Sequence, residues 1–374
     1  MKVFSTSIKE KLKRLDFVII GCAVGMTALS VLTLYGAKDN YAYGQRMFII
    51  QSFAALLGLV CMVIISLIDY DALITKFWIP IIVLSVALIG AVLVLGDKTE
   101  NQTLYISIGP LNLQVSEFVK SLFILSFAKH LDLLKEKINS PHSLVMLAAH
   151  AGLIIGMMLI TGDLGSTLVF MAIAAFMLFA AGLSLWYYVG IAGALIIATP
   201  YIWPHLSEYQ QMRILCGFDP EIDPMRYGYQ SLRSREAISA GGFWGAGIMG
   251  GSEYLNIPVA TTDFLFSVMC EKLGFFGALV YIILMCTMIF RIVRIARTAR
   301  KDAGAFICVG VAAILITQTT ENMGMCLAML PVIGITMPFI SYGGSSMLAI
   351  YCALGLVQSV RLHNEKYFFE REDA

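Results

Sequence analysis

Long apolar runs, each close to twenty residues and set apart by short polar breaks, dominate this chain. They fall near residues 16–36, 47–68, 77–96, 115–131, 143–160, 166–183, 186–203, 264–290, 304–320 and 345–360. A helix needs about twenty residues to cross roughly 30 Å of hydrocarbon, so each run predicts a membrane-crossing helix. A β-barrel would instead alternate polarity in short strands. Residues 323–340 are also apolar, but Pro331, Gly334 and Pro338 interrupt them and predict a loop or re-entrant element. Irregular backbone at that depth is tolerated only against protein or a wet cavity. The pattern predicts an all-α polytopic membrane protein of ten crossings, a single domain over residues 1–374.

Composition agrees. Of the 374 residues 59% are hydrophobic and only 14% charged, with a mean hydropathy of +0.80. A soluble domain of this length could not hide that much apolar surface. The net charge of +1 decides nothing, because the charges are segregated by side. With ten crossings both termini share a face. That face holds most of the Lys and Arg, including Lys9, Lys11, Lys13, Arg14, Lys135, Lys137, Arg291, Arg294, Arg297, Arg300 and Lys301. The opposite face holds Lys38, Arg46, Lys98, Arg213, Arg226, Arg233 and Arg235. The excess makes the termini cytoplasmic and places the long loop 204–262, between spans seven and eight, outside. Seven of the eight cysteines fall in apolar spans and only Cys216 in a loop, so no external disulfide framework is predicted. The basic N-terminus lacks a cleavage site before the first span, which reads as a retained membrane segment. Membrane lipid is the expected surrounding, and no nucleic-acid partner is expected.

Five stretches could carry chemistry. Asp263 stands where the long loop meets the span beginning near 264, and an acid at that border is costly to keep. It reads equally as a helix N-cap or as a general base whose pKa partial burial would raise. Glu117 and Lys120 lie three residues apart on one helical face inside a span, either as a structural ion pair or as a site Lys120 shares with an anionic ligand. Arg213, Arg226, Arg233 and Arg235 suit a diphosphate through their two-pronged guanidinium, or simply anchor the loop at the headgroups. Glycines 241, 242, 245, 247, 250 and 251 allow backbone to approach a ligand, or allow close helix packing. Asp163, between two spans, reads as a cap. In LPVIGITMPFISYGGSSML, residues 330–348, a broken segment ends in Ser341, Tyr342, Gly343, Gly344, Ser345 and Ser346 at a helix start. That pattern reads as an oxyanion or phosphate cradle rather than as a serine-capped turn. No ligand cluster predicts a zinc or iron–sulfur centre.

These blocks together resemble the RodA/FtsW/SpoVE proteins, the shape, elongation, division and sporulation (SEDS) membrane proteins of bacteria. The resemblance runs from KRLDFVI at 13–19 to the last span. It is carried by SEFVK at 116–120, DLGST at 163–167, the DP…GYQS…AISAGGFWGAG stretch at 219–247, TDFLFSVMCEKLGF at 262–275 and LPVIGITMPFISYGGSS. The chain departs from the family pattern at Leu104 and Tyr105, at Val115, at Thr161-Gly162 before Asp163, and at Val259 and Thr261.

The resemblance implies a ten-span peptidoglycan glycosyltransferase of the bacterial cytoplasmic membrane that polymerises lipid II at the outer face. It implies a class B penicillin-binding protein as partner, alongside other elongation or division machinery. The catalytic aspartate would be Asp263, preceded by Thr262, with substrate contacts at Glu117, Lys120 and residues 341–346; among the loop arginines, the residues themselves favour Arg213 beside Lys120 for the diphosphate. A divalent cation, Mg2+ or Mn2+, could share the charge, although no ligand set for it stands out. Compact tails and the KRLDF start lean toward the rod-shape branch. A lipid II flippase and a scaffold for a transpeptidase are the competing expectations, and the outward clustering of the motif residues favours the enzyme.

Overall fold

The computed structural model describes residues 8–364 apart from 42, 97, 100, 101, 104, 109 and 110. After a short helix α1 (Ile8–Lys13), the chain forms α2 (Phe17–Ala37), α3 (Gly44–Leu67), α4 (Tyr70–Leu95), α5 (Val115–Leu134), α6 (Pro141–Ile160), α7 (Leu164–Ala180) and α8 (Leu185–Ile202). Then come α9 (Glu208–Phe218) and α10 (Tyr229–Gly241), and finally α11 (Leu265–Arg297), α12 (Asp302–Cys326) and α13 (Gly344–Leu362). Each of the ten runs predicted to cross is thus helical. Among the described residues eight are long and apolar enough to cross a membrane, and α7 is a shorter apolar helix. The twenty-residue α5 carries Glu117, Lys120, Lys129 and Asp132. The chain is a multi-pass membrane protein.

Local chemistry sets the helix starts. Asp16 caps α2, Asp69 caps α4, Ser140 precedes Pro141 at the start of α6, and Ser207 forms a reciprocal capping box with Gln210 at α9. The Asp69 cap explains why α4 begins at Tyr70, seven residues before the apolar run.

Helices α5, α12 and α13 form the buried centre, while α8 has no buried residue and lies at the rim. At the end bearing the N-terminus, Asp16 ties three helices together. Its carboxylate accepts from Arg291 at 2.6 and 3.0 Å and from Arg361 at 2.8 Å, and its backbone exchanges two bonds with Gln358.

Three features differ from the sequence expectation. The run 264–290 is two helical pieces, because Gly274 inside α11 adopts φ 67° and ψ −169°. The loop 204–262 contains two helices, α9 and α10, whose mixed polarity hid them in a stretch read as loop. Two small antiparallel hairpins, Lys98–Thr99 with Gln102–Thr103 and Tyr105–Ile108 with Leu111–Gln114, precede α5. Between α12 and α13 the backbone is irregular, as Pro331, Gly334 and Pro338 predicted. It is packed against protein, with Ile335, Met337, Phe339 and Ile340 buried, which is the condition for such backbone at this depth.

Candidate active site

Asp263 sits one residue before the cap of α11. The cap is Phe264, whose side chain makes no capping bond. Asp263, a half-buried residue, is therefore not spent on capping. Burial pushes its carboxyl up to about 6, and the Thr262 hydroxyl and the Arg213 charge pull against that rise. An acid poised near neutrality can take a proton at working pH. Asp163, by contrast, is the cap the sequence predicted, its Oδ1 accepting from Ser166 N at 2.8 Å.

The irregular segment between α12 and α13 is the hub. Arg213 of α9 donates to the Val332 carbonyl. Gly334, at φ 73°, presents its Cα to Asp263, since a Cβ there would lie 3.4 Å from Asp263 Oδ2. Asn322 Nδ2 donates to the carbonyls of both Asp263 and Ile335 at 2.7 Å. Tyr342 N donates to Thr261 O at 3.0 Å, Thr336 and Ser346 pair their hydroxyls at 3.2 Å, and Gln114 N donates to Ser345 Oγ at 3.3 Å. Residues 332–346 thus touch α9, the Asp263 turn and the start of α5. Two non-glycine residues here hold positive φ, Val259 at 49° and Phe339 at 64°. A β-branched residue in that region is strained, and such strain collects at functional sites.

Within the serine-rich block the roles divide. Ser341 is buried and its Oγ accepts from Met337 N at 2.8 Å, so its hydroxyl closes a turn. The Ser341 carbonyl and the Gly343 N–H are taken by Gln51 of α3. Gly344, Ser345 and Ser346 form the first turn of α13, where a helix dipole favours negative charge.

Glu117 and Lys120 form a buried ion pair of 2.8 Å on α5. Lys120 Nζ has no hydrogen-bond partner among the described residues beyond that charge contact, so it retains donors. Burial pushes the Asp163 carboxyl up, its bonds to Ser166 and the Lys120 charge pull it down, and the Glu117 charge pushes it up. A small cavity lined by Val115, Ser116, Thr161 and Asp163 adjoins them.

The departures from the family pattern find local reasons. Gly162 holds φ 78°, a position glycine suits, and Thr161 Oγ1 donates to Met158 O at 2.7 Å. Thr261 is buried and lends its carbonyl to Tyr342. Leu104 lies outside the described residues. The glycine-rich stretch serves packing: a Cβ on Gly241, Gly245 or Gly251 would collide with Cys270 O, Lys272 O or the Glu271 side chain.

Sequence reasoning missed Asn322, Gln51, Glu271 and Lys272. The signal was present, since each is an amide or charge within an apolar helix, and such residues are kept there for a partner. Among the described residues no three His, Cys, Asp or Glu side chains are grouped to hold a metal ion.

The family model described as "Cell cycle protein", covering FtsW, RodA and SpoVE, matches residues 13–366. A probable peptidoglycan glycosyltransferase FtsW of Trichlorobacter lovleyi is 32% identical over 367 residues, covering 94% of each chain. The peptidoglycan glycosyltransferase MrdB of Escherichia coli K12 is 30% identical, covering 83% of this chain and 84% of its own. A chain from a structure on coordination of polymerization and crosslinking by a peptidoglycan synthase complex superposes with a TM-score of 0.80 at 27% identity. It covers 93% of this chain and 97% of that one. The Thermus thermophilus rod shape determining protein RodA shares the fold, with a TM-score of 0.71 at 23% identity over 94% of this chain and 98% of that one. With its ordered motifs gathered around one irregular segment, and a family model spanning nearly its whole length, this chain belongs to the FtsW/RodA/SpoVE family.

Proposed function

We propose that this chain is a peptidoglycan glycosyltransferase of the bacterial cytoplasmic membrane that polymerises lipid II at the outer face. It crosses the membrane ten times, with both termini cytoplasmic and residues 204–262 outside. The carrying observation is Asp263: a carboxyl pushed up to about 6 by burial, at the loop–helix border, beside Arg213 and Gly334.

Glycan growth joins an acceptor sugar hydroxyl to the anomeric carbon of a lipid-linked donor. Asp263 takes the acceptor's proton as its oxygen bonds that carbon, and the bond from carbon to the diphosphate oxygen breaks. The lipid diphosphate leaves with the electron pair. Base assistance is worth roughly 10²–10⁴-fold. Negative charge growing on the diphosphate meets Lys120 and Arg213, with the first turn of α13 at Gly344, Ser345 and Ser346. Tyr342 and Gly343 hold that turn through their N–H groups, Glu117 holds Lys120 in place through their 2.8 Å ion pair, and Thr262 tempers the base. A divalent cation, if engaged, would add charge beside the diphosphate, and no step above requires it.

The partner expected on this reading is a class B penicillin-binding protein that crosslinks the new strand, together with elongation or division machinery. The test is purified protein in liposomes with labelled lipid II, with and without that transpeptidase. Polymer of growing length supports the enzyme. Label crossing the bilayer without polymer would make the protein a flippase, and neither result with intact transpeptidase binding would make it a scaffold.

A further inference from the structure

The structure assigns to Lys272, acting with Glu271, the role of a positioning residue that sets where Asp263 stands. This rests on the reading of Asp263 as the general base.

The helix carrying Asp263 is short. Gly274 breaks α11, so residues 265–273 form a separate helical piece with Asp263 ahead of its first residue. The break leaves helical hydrogen bonds unmade, and the glycine-rich stretch makes them. Phe275 N and Phe276 N donate to Gly242 O and Phe243 O at 2.9 and 3.1 Å. In return, the carbonyls of Glu271 and Lys272 accept from Ala246 N and Gly247 N at 2.8 and 3.1 Å. The glycine-rich stretch thus bridges the piece and the rest of α11.

Both ends of the piece are held. At the front, Asn322 holds the Asp263 carbonyl and Tyr342 holds the Thr261 carbonyl. At the rear stand two fully buried charges, Glu271 and Lys272, each 1% exposed. Lys272 Nζ donates to Gly36 O of α2 at 3.1 Å, to Ile248 O at 3.1 Å and to Gly250 O at 3.0 Å. It also lies 4.6 Å over the Tyr254 ring. The Glu271 carboxylate accepts from Glu253 N at 2.9 Å and Tyr254 N at 2.7 Å. The ammonium spends its three donors on three carbonyls from two separate elements, so its position is fixed in three directions.

A buried lysine is expensive and a methionine would fill the same space without that cost. What methionine cannot do is bind carbonyls of α2 and of the loop at once. Losing that triad frees the rear of the piece to swing about its front bonds, and Asp263 swings with it. Misplacement by about 1 Å can cost on the order of 10²-fold in rate.

The test compares Lys272→Met, Lys272→Arg and Glu271→Gln with the unaltered chain and with Asp263→Asn, all full length. Turnover is divided by the number of donor-binding sites, counted with radiolabelled lipid II. In Lys272→Met, turnover per site falls at least about tenfold while donor KM stays within about twofold, and Lys272→Arg recovers part of the loss. Activity lost only in proportion to binding sites, or unchanged turnover per site, would overturn the assignment. An active Asp263→Asn would instead overturn the base reading. Geometry gives a readout independent of activity. On a cysteine-replaced chain, spin labels at the exposed positions 259 and 290 give a narrow distance distribution that Lys272→Met broadens. An unbroadened distribution would count against the assignment even if turnover fell.

Discussion

Asn322 Nδ2 donates to the main-chain carbonyl of Asp263 at 2.7 Å, and the same amide reaches Ile335 O at 2.7 Å. One side chain in the middle of the fold thus ties the candidate base to the irregular segment that faces it. Both amide protons are used, so neither carbonyl has a substitute donor within the side chain.

Asn322→Ala leaves both carbonyls without that donor. The expected loss is roughly 2–4 kcal/mol of stability, at about 1–3 kcal/mol per unsatisfied group with partial relaxation. It is read as a lower melting temperature in detergent, together with slower polymerisation. A melt unchanged within error would show that the clamp contributes nothing.

The pH dependence follows from the raised Asp263 carboxyl. Polymerisation rises with pH through about 6, as the base form fills, and is lost below it. Arg213 lowers that pKa, so Arg213→Met moves the acidic limb of the rate profile to higher pH, besides weakening leaving-group stabilisation. A limb that stays in place, or moves down, would contradict the pairing.

Linkage gives the sign for stability. Folding raises this carboxyl above its ordinary 3.8, so its contribution is fully present below about 4 and lost as pH rises through about 6. Asp263→Asn therefore melts higher than the unaltered chain at pH 7.5, and the two converge near pH 4. A variant that melts lower at pH 7.5 would count against the burial of this acid.

The Glu117–Lys120 pair separates structure from chemistry. Removing Lys120 alone strands a buried carboxylate, at a cost of roughly 3–5 kcal/mol. The double replacement Glu117→Gln with Lys120→Met recovers most of that stability, since no charge is left unpaired. Polymerisation stays lost in both, because the cation facing the diphosphate is gone. An active double variant would reduce the pair to a structural role.

Much of this was legible in the chain. The apolar runs marked the helices, and Pro331, Gly334 and Pro338 marked the irregular segment between α12 and α13. Asp263 drew attention because an acid at a membrane border needs a reason. The break at Gly274 was not legible, since apolar residues continue on both sides of it and hydropathy carries no φ angle. The turn that Ser341 Oγ closes onto Met337 N was not legible for a related reason, since that contact is set by the backbone path. The role of Lys272 was not legible, because its three carbonyl partners come from residues 22 to 236 positions away.

The most direct measurement is polymerisation of lipid II by purified Asp263→Asn protein beside the unaltered chain, at pH 7.5 and at equal numbers of folded molecules. Our account predicts a fall of at least about 10²-fold with donor binding retained. Polymerisation by the variant within about twofold of the unaltered chain would remove Asp263 from the reaction, and with it the mechanism built around this site.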